Sequence, residues 1–259
     1  MTDVILWRHG QTDYNVGGRV QGRVDIPLNA TGRAQAEAGA GRLQDVLRSL
    51  IGAREPGAGQ TAACRIVSSP LARARATAQA LAVRLAVEVT THPGLAERDF
   101  GRWEGLTADE IRAGWPDAYA VWRTGQDPQG VDVEPRRAVG QRFSEAVRSL
   151  AGAAGEGPLI IVAHGSAITQ GTTALLGMDA SHWFGLRGLD NAHWARLRSS
   201  HRVPGWEAPG LERRRRADGA AALTPRVSER FGEPAHARRI CPGARESIEL
   251  SASPSGWRP

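Results

Sequence analysis

The sequence lacks lysine altogether, because all 33 basic residues of the 259-residue chain are arginines. This absence excludes a lysine as a catalytic base or as a Schiff-base former. Cysteine is scarce too: Cys64 and Cys241 are the only two, and a pair so far apart makes no disulfide framework. We therefore expect two ordinary reduced thiols.

Long apolar runs are also missing. No run approaches the roughly 18 to 20 residues that span a bilayer, and the N-terminus lacks the basic start and apolar core of a signal peptide. These absences predict a cytoplasmic protein with no membrane partner. A hydrophobic content of 41% in 259 residues suffices for one large globular domain, with or without an appendage.

The net charge of +6 and the pI near 10.6 raise the question of a nucleic-acid partner. Much of that excess lies after Leu211, where ten arginines face six acidic residues and include the run Arg213-Arg214-Arg215-Arg216. Such runs are common in solvated tails, so we do not expect nucleic acid as a partner. An arginine-rich nucleic-acid binder remains as an alternative that depends on this tail alone. We predict one folded domain over residues 1–205 and a mobile Arg/Ala/Gly/Pro-rich tail over 206–259.

Apolar segments of strand length alternate with segments of helical periodicity. The strands are predicted at 4–7, 65–68, 158–163 and 192–197. The helices are predicted from a Thr31 cap to Leu50, from a Ser69-Pro70 cap to Val83, from a Thr107–Glu110 capping box, over 137–151 and over 166–176. This alternation predicts a three-layer α/β/α fold with a mostly parallel central sheet. Residues 203–208, which contain Pro204 and Gly205, make a poor partner for the last strand, so the final edge of the sheet is in doubt.

Polar side chains follow the carboxyl ends of three predicted strands. His9 follows the first strand, residues 69–73 follow the second, and His164 follows the strand at 158–163. Because ligands of open α/β sheets bind at the carboxyl ends of the strands, we expect these groups to form one site.

The segment Arg8-His9-Gly10-Gln11-Thr12 has the ingredients of a phosphate site. Arg8 offers a planar fork of donors to phosphate oxygens, and Gly10 would let an anion approach the backbone. Thr12 and Asn15 can add neutral donors. His9 can attack phosphorus if a hydrogen bond fixes its other ring nitrogen.

Three further segments extend this site. Arg73 falls in the first turn of its helix, where both the guanidinium and the positive helix end can face an anion. One carboxyl between Glu97 and Glu104 can serve as a general acid, although surface carboxylates paired with Arg98 or Arg102 are the alternative. His164, as a cation, can bind the transferring phosphoryl group. The sequence has no metal-ligand motif.

These segments, in this order, resemble the histidine phosphatase superfamily, which contains cofactor-dependent phosphoglycerate mutases and many small-molecule phosphatases. The resemblance covers about residues 2–198 and implies a phosphoglycerate mutase-like fold with neither metal nor cofactor. It implies that His9 is the nucleophile that becomes phosphohistidine and that Glu97, in preference to Asp99 or Glu104, is the proton donor. The residues that it places around the phosphate or the substrate are Arg8, Asn15, Gln21, Gly22, Arg73, His164 and Gly165.

The interval of 67 positions between Glu97 and His164 resembles that of the compact phosphatase branch, since mutases carry a longer insertion there. We therefore predict a hydrolase acting on small-molecule phosphate monoesters. Phosphoglycerate mutase-type transfer and a non-catalytic phosphate-binding module stay as alternatives. Residues 106–140 mix arginines with Trp115, Tyr119 and Trp122, which suits either a lid over the substrate or simple packing. The sequence leaves a homodimer open.

Overall fold

The computed structural model describes residues 2–52, 64–153, 157–200 and 205–207 of the chain. The strands are β1 (Asp3–Arg8), β2 (Arg65–Ser68), β3 (Val89–Thr91), β4 (Leu159–Ala163), β5 (Trp194–Ser200) and β6 (Gly205–Glu207). The helices are α1 (Asp13–Val16), α2 (Ala30–Gly52), α3 (Ala72–Leu85), α4 (Ala108–Gly114), α5 (Pro116–Arg123), α6 (Arg136–Gly152) and α7 (Gly165–Leu175). Short 3₁₀ turns cover Pro93–Leu95 and Gly101–Trp103. The predicted tail falls almost entirely outside the described residues.

The strands form one sheet in the order β3-β2-β4-β1-β5-β6. Strands β3, β2, β4 and β1 pair in parallel, whereas β5 runs antiparallel to both β1 and β6. The predicted mostly parallel α/β architecture is confirmed. In the part of the chain that the structure describes, no helix is long and apolar enough to cross a membrane.

Both faces of the sheet are buried, which explains why the central strands read as continuous apolar runs. Side chains alternate along each strand, so Ile5 and Trp7 join the core beneath α2 and α3, while Val4 and Leu6 join the core beneath α6 and α7. The sheet is thus held rigidly between two helical layers.

Two helix starts differ from the predicted ones. Thr31 lies inside α2, and Asn29 caps the helix instead, its side chain accepting from the Gly32 amide at 2.8 Å. Helix α3 begins at Ala72, whose amide donates to the Asp25 carboxylate at 2.7 Å. A carboxylate from a distant loop thus supplies the cap, which local sequence signals cannot reveal. The predicted Thr107–Glu110 capping box is confirmed.

The expectation of a poor final strand pair is wrong. Residues 205–207 pair with 198–200 in antiparallel register. The described strand begins at Gly205 and so contains no proline that would interrupt its hydrogen bonds.

Helices α4 and α5 stand on a core of their own. Buried Trp103, Ile111, Val131 and Val133 form this cluster, and Trp115, Tyr119 and Trp122 pack against it only partly buried. For these aromatic residues the sequence left a lid and simple packing open, and the structure shows that they pack on a satellite core beside the main one.

Candidate active site

The three central strands bring their carboxyl ends to one edge of the sheet. Strands β2, β4 and β1 are neighbours, and Ser69, His164 and His9 follow them directly. All three side chains are buried. The imidazole centroids of His9 and His164 lie 5.1 Å apart, with their planes tilted by 59°. The predicted convergence at this edge is confirmed by the geometry.

One nitrogen of His9 is fixed and the other is left for chemistry. His9 Nδ1 lies 2.7 Å from the Gly10 carbonyl, and because a carbonyl can only accept, Nδ1 carries the proton. Nε2 therefore holds the lone pair. Burial, together with the positive charges of Arg73 and Arg8, lowers the pKa of His9 to about 3. The ring is neutral and nucleophilic at physiological pH.

A loop that the sequence did not single out holds the His9 backbone. The Ala192 amide and the Asn191 side-chain amide both donate to the His9 carbonyl at 3.1 Å. Trp7 Nε1 in turn donates to the Ala192 carbonyl at 3.0 Å. Ala192 takes a positive φ of 58° and so forms a turn. In the sequence, the signal for this turn was Asn191, a turn-favouring residue just before the strand.

The two predicted phosphate arginines are anchored through their terminal nitrogens. Arg8 Nη1 donates to the Leu189 carbonyl. Arg73 is fully buried, and its Nη2 and Nη1 donate to the carbonyls of Gly22 and Val24 at 2.7 and 2.8 Å. The Nε of each arginine is buried without a hydrogen-bond partner. Burial lowers the pKa of both guanidinium groups, which nevertheless stay charged.

The loop that receives Arg73 is organised by Glu104, a residue set aside in choosing the acid. Its carboxylate accepts from the backbone amides of Arg23, Val24 and Phe100 at 2.7, 3.1 and 3.1 Å. Gly22 adopts a φ of +51°, and any Cβ there would collide with that carboxylate. Close packing therefore requires Gly22, and Gly22 contributes to the site through its carbonyl, which accepts from Arg73.

The second histidine is held differently from the first. His164 Nε2 lies 2.7 Å from Ser69 Oγ, and His164 Nδ1 is buried without a partner. Burial, followed by the charges of Arg73, Arg8 and Arg142, places the pKa of His164 well below its ordinary value of 6.5. The expectation of a cationic His164 is therefore wrong for the free protein. Two buried arginines nearby already disfavour a third positive charge.

Four buried side-chain nitrogens lack a hydrogen-bond partner in the described part of the chain, and three of them belong to this site. They are Arg8 Nε, Arg73 Nε and His164 Nδ1; the fourth, Trp103 Nε1, lies in the satellite core. An unsatisfied buried donor costs about 1–3 kcal/mol, and such groups are rare in native proteins. Two of the three are guanidinium donors, and unpartnered groups of this kind beside His9 suit an oxyanion.

Glu97 sits at the start of α7, next to His164. Its carboxylate accepts from the backbone amides of Ala167, Ser166 and Arg98 at 2.8, 3.1 and 2.8 Å. Its side chain is 8% exposed. The main chain around Glu97 is itself held by Arg142, which donates to the carbonyls of Ala96 and Glu97 at 2.7 and 3.0 Å.

The neutral residues predicted around the phosphate form a hydrogen-bonded group that reaches the His9 carbonyl through Asn191. Thr12 caps α1, and its hydroxyl lies 2.9 Å from Gln21 Oε1. Asn15 Oδ1 accepts from the Thr12 amide and from Asn191 at 3.1 and 3.2 Å, so its NH₂ is the group that it can offer to an anion. Gly165 lies against Arg8, with a hypothetical Cβ 3.4 Å from the guanidinium carbon.

Gly10 is required by close packing, which the sequence did not suggest. A Cβ at Gly10 would collide with the Gly32 carbonyl, and one at Gly32 would collide with the Gln11 backbone. The two glycines let the His9 loop approach the start of α2, so close packing by itself requires Gly10. Among the described residues, no group of three His, Cys, Asp or Glu side chains could hold a metal ion.

Comparison with known proteins gives this arrangement a family context. A family model described as histidine phosphatase superfamily (branch 1) matches residues 4–210. The glucosyl-3-phosphoglycerate phosphatase of Mycobacterium tuberculosis is 36% identical over 210 residues, which cover 78% of this chain and 87% of that protein.

Two solved structures are similar over most of their length. The mycobacterial glucosyl-3-phosphoglycerate phosphatase in complex with VO3 superposes with a TM-score of 0.65 at 36% identity, covering 80% of this chain and 97% of that one. Phosphoserine phosphatase from Entamoeba histolytica, in complex with 3-phosphoglyceric acid, gives a TM-score of 0.66 at 26% identity, covering 81% and 96%.

Proposed function

Because this chain belongs to the histidine phosphatase superfamily, we propose that it hydrolyses small-molecule phosphate monoesters through a phosphohistidine intermediate on His9. The predicted family and enzyme class, a phosphatase, are confirmed by its relatives. The observation that carries the proposed mechanism is the set of buried nitrogens without hydrogen-bond partners on Arg8, Arg73 and His164 beside a neutral His9.

In the first step His9 Nε2 forms a bond to phosphorus while the bond from phosphorus to the ester oxygen breaks. His9 needs no general base, because its pKa of about 3 leaves the lone pair available at neutral pH. The charge that develops on the equatorial oxygens is stabilised by Arg8, Arg73 and His164. Glu97, in its protonated form, gives a proton to the departing alkoxide.

In the second step water attacks phosphohistidine. Glu97, now a carboxylate, accepts a proton from that water as the new oxygen–phosphorus bond forms and the bond from nitrogen to phosphorus breaks. His9 returns as a neutral ring, its Nδ1 proton held throughout by the Gly10 carbonyl. Each step is an in-line displacement that depends chiefly on positioning and charge.

For the substrate, we propose an organic phosphate that also carries a carboxylate. Glucosyl-3-phosphoglycerate and phosphoserine, named for the relatives, both do so. Arg23 follows Gly22 at the loop that holds Arg73, and its guanidinium is about half exposed. Arg23 Nε lies 3.8 Å from Asp99 Oδ2, and Arg23 Nη2 lies 3.5 Å from Glu134 Oε2. Both distances are too long for strong hydrogen bonds, so the guanidinium is free to turn to a substrate carboxylate.

The mechanism is tested with an aryl phosphate in the presence of a chelator. We expect phosphate release by the wild type, none by His9→Ala, and an acid-labile phosphoenzyme on rapid quenching. Asp13→Asn, which alters an exposed residue outside the proposed pocket, serves as the control. Activity that requires added metal, or that survives loss of His9, would refute the mechanism.

The substrate class is tested with matched pairs of phosphates that differ in one carboxylate, such as 3-phosphoglycerate against glycerol phosphate, with glucosyl-3-phosphoglycerate and phosphoserine added. Arg23→Gln should raise KM by up to about tenfold for the carboxylated member only. An equal effect on both members would contradict this assignment. Transfer between positions of phosphoglycerate would reveal the mutase alternative, and phosphate binding without turnover would reveal the non-catalytic one.

The division at residue 205 into domain and tail, the cytoplasmic location and the homodimer remain predictions. Truncation after residue 210 is the direct test of the first. We expect the shortened protein to keep its aryl phosphatase activity and to bind nucleic acid no less than the full chain does.

A further inference from the structure

Ser69 is a buried polar residue to which the sequence assigned only a helix cap and a place at the strand end, and the mechanism above does not use it. It lies directly after β2, fully shielded from solvent, at the edge of the sheet that carries both histidines. Its hydroxyl is 2.7 Å from His164 Nε2 and 3.3 Å from the amide nitrogen of Leu71. Within the described chain these are the two hydrogen-bond contacts of that hydroxyl.

The directions of these two hydrogen bonds follow from the available protons. The Leu71 amide can only donate, so Ser69 Oγ accepts there. If His164 Nε2 also donated, the Ser69 hydroxyl proton would be buried without an acceptor. If the hydroxyl donates to Nε2 instead, every proton of Ser69 has a partner and Nε2 holds the lone pair. A neutral His164 then carries its proton on Nδ1, the nitrogen that lacks a partner.

We propose that Ser69 is a positioning residue that fixes His164 as the neutral Nδ1–H tautomer, so that Nδ1 donates a hydrogen bond to the phosphoryl group. The use of that donor rests on the proposed phosphatase function. The tautomer itself does not. In this arrangement His164 contributes a directed neutral donor, and the positive charge of the site comes from Arg8 and Arg73.

The surrounding charges favour this assignment. Burial is the largest effect that opposes a further proton on the His164 ring, and the positive charges of Arg73, Arg8 and Arg142 act in the same direction, while His9 beside it is neutral. The ring is completely buried, and its own backbone carbonyl is engaged by the Ile168 amide at 2.9 Å. Only the hydrogen bond from Ser69 distinguishes the two neutral tautomers.

The tautomer is tested directly by nitrogen NMR of protein labelled with ¹⁵N-histidine, with the His164 signal assigned by its loss in His164→Gln. We expect one protonated nitrogen, Nδ1, and one unprotonated nitrogen, Nε2, at pH values on both sides of about 6.5, the ordinary histidine pKa. Added inorganic phosphate should shift the Nδ1 resonance. An Nε2–H tautomer or a doubly protonated ring in the wild type would overturn the proposal, and this measurement needs no variant of Ser69.

Two serine variants test the role of the hydroxyl. Ser69→Ala should give mixed tautomers and lower kcat/KM for an aryl phosphate by about fivefold to tenfold, because activity falls in proportion to the fraction of His164 that keeps its proton on Nδ1. Ser69→Thr, which keeps a hydroxyl, should restore the tautomer. Ser68→Ala is the matched control, because this equally buried hydroxyl donates to the Ser69 carbonyl at 2.9 Å instead, and we expect a change within about twofold.

The outcomes separate this proposal from the proposed function. A single Nδ1–H tautomer retained in Ser69→Ala would overturn the positioning role even if the enzyme is a phosphatase. Conversely, His9→Ala with unchanged activity would refute the phosphohistidine mechanism while leaving the NMR assignment of His164 intact. Equal losses in Ser69→Ala and Ser68→Ala, with unchanged tautomers, would reduce Ser69 to a packing role.

Discussion

Acid should destabilise this protein at a pH where its carboxylates are still ionised, because its active-site histidines are buried as neutral rings. The folded-state pKa of His9 is about 3, whereas an unfolded histidine has a pKa of about 6.5. Below pH 6.5 the His9 ring binds a proton in the unfolded chain but not in the folded chain. The stability contributed by neutral His9 is therefore complete above pH 6.5 and declines as the pH falls toward 3.

The size of the effect follows from these two values. At pH 5 the unfolded ring is almost fully protonated and the folded ring is not, so the free energy of unfolding falls by about 2 kcal/mol relative to pH 7.5. His164 acts with the same sign, because its pKa is also depressed. Against a typical total of about 5–15 kcal/mol, this is a large fraction.

Urea unfolding followed by fluorescence of the eight tryptophans measures the change at pH 7.5, 6 and 5. His9→Gln replaces the ring with a group that does not titrate, so this variant should lose about 2 kcal/mol less than the wild type over that range. His182→Gln is the control, since the His182 side chain is 83% exposed. Equal pH dependence in the wild type and His9→Gln would refute the assignment of a buried neutral His9.

Three further outcomes are expected. Gly22→Ala should lower both stability and activity, because the added Cβ would collide with the Glu104 carboxylate. Gly18 has a similar positive φ of 61° but open space around it, so Gly18→Ala should lower the free energy of unfolding by only about 1 kcal/mol. Equal urea midpoints for the two variants would contradict the steric reason. Arg142→Met should lower the free energy of unfolding in urea by about 3 kcal/mol, because it breaks a largely buried ion pair with Glu134 at 2.6 Å. Arg102→Met is the control, since it breaks an ion pair with Asp132 that is more than half exposed, and it should cost less than about 1 kcal/mol. Inorganic phosphate at 100 times its Kd should stabilise the wild type by about 2.7 kcal/mol, and a melting temperature unmoved by phosphate would exclude a phosphate site.

Much of the chemistry was readable along the chain because it is carried by side chains next to strand ends. Apolar runs predicted β1 and β4, which His9 and His164 follow directly. In a parallel sheet the carboxyl ends of the strands lie at one edge, so the two histidines were expected at that edge. The class of fold and the identity of Arg8, Arg73 and Glu97 followed from local pattern and from resemblance to the family.

The tertiary structure decided how those residues behave. Burial among arginines makes His164 neutral where its sequence context allowed a cation. Ser69, Glu104, Asn191 and Arg142 orient the site through partners 46 to 182 positions away, which no local pattern records. Sequence motifs name the groups that can react, whereas desolvation and long-range hydrogen bonds, which exist only after folding, set their protonation and direction.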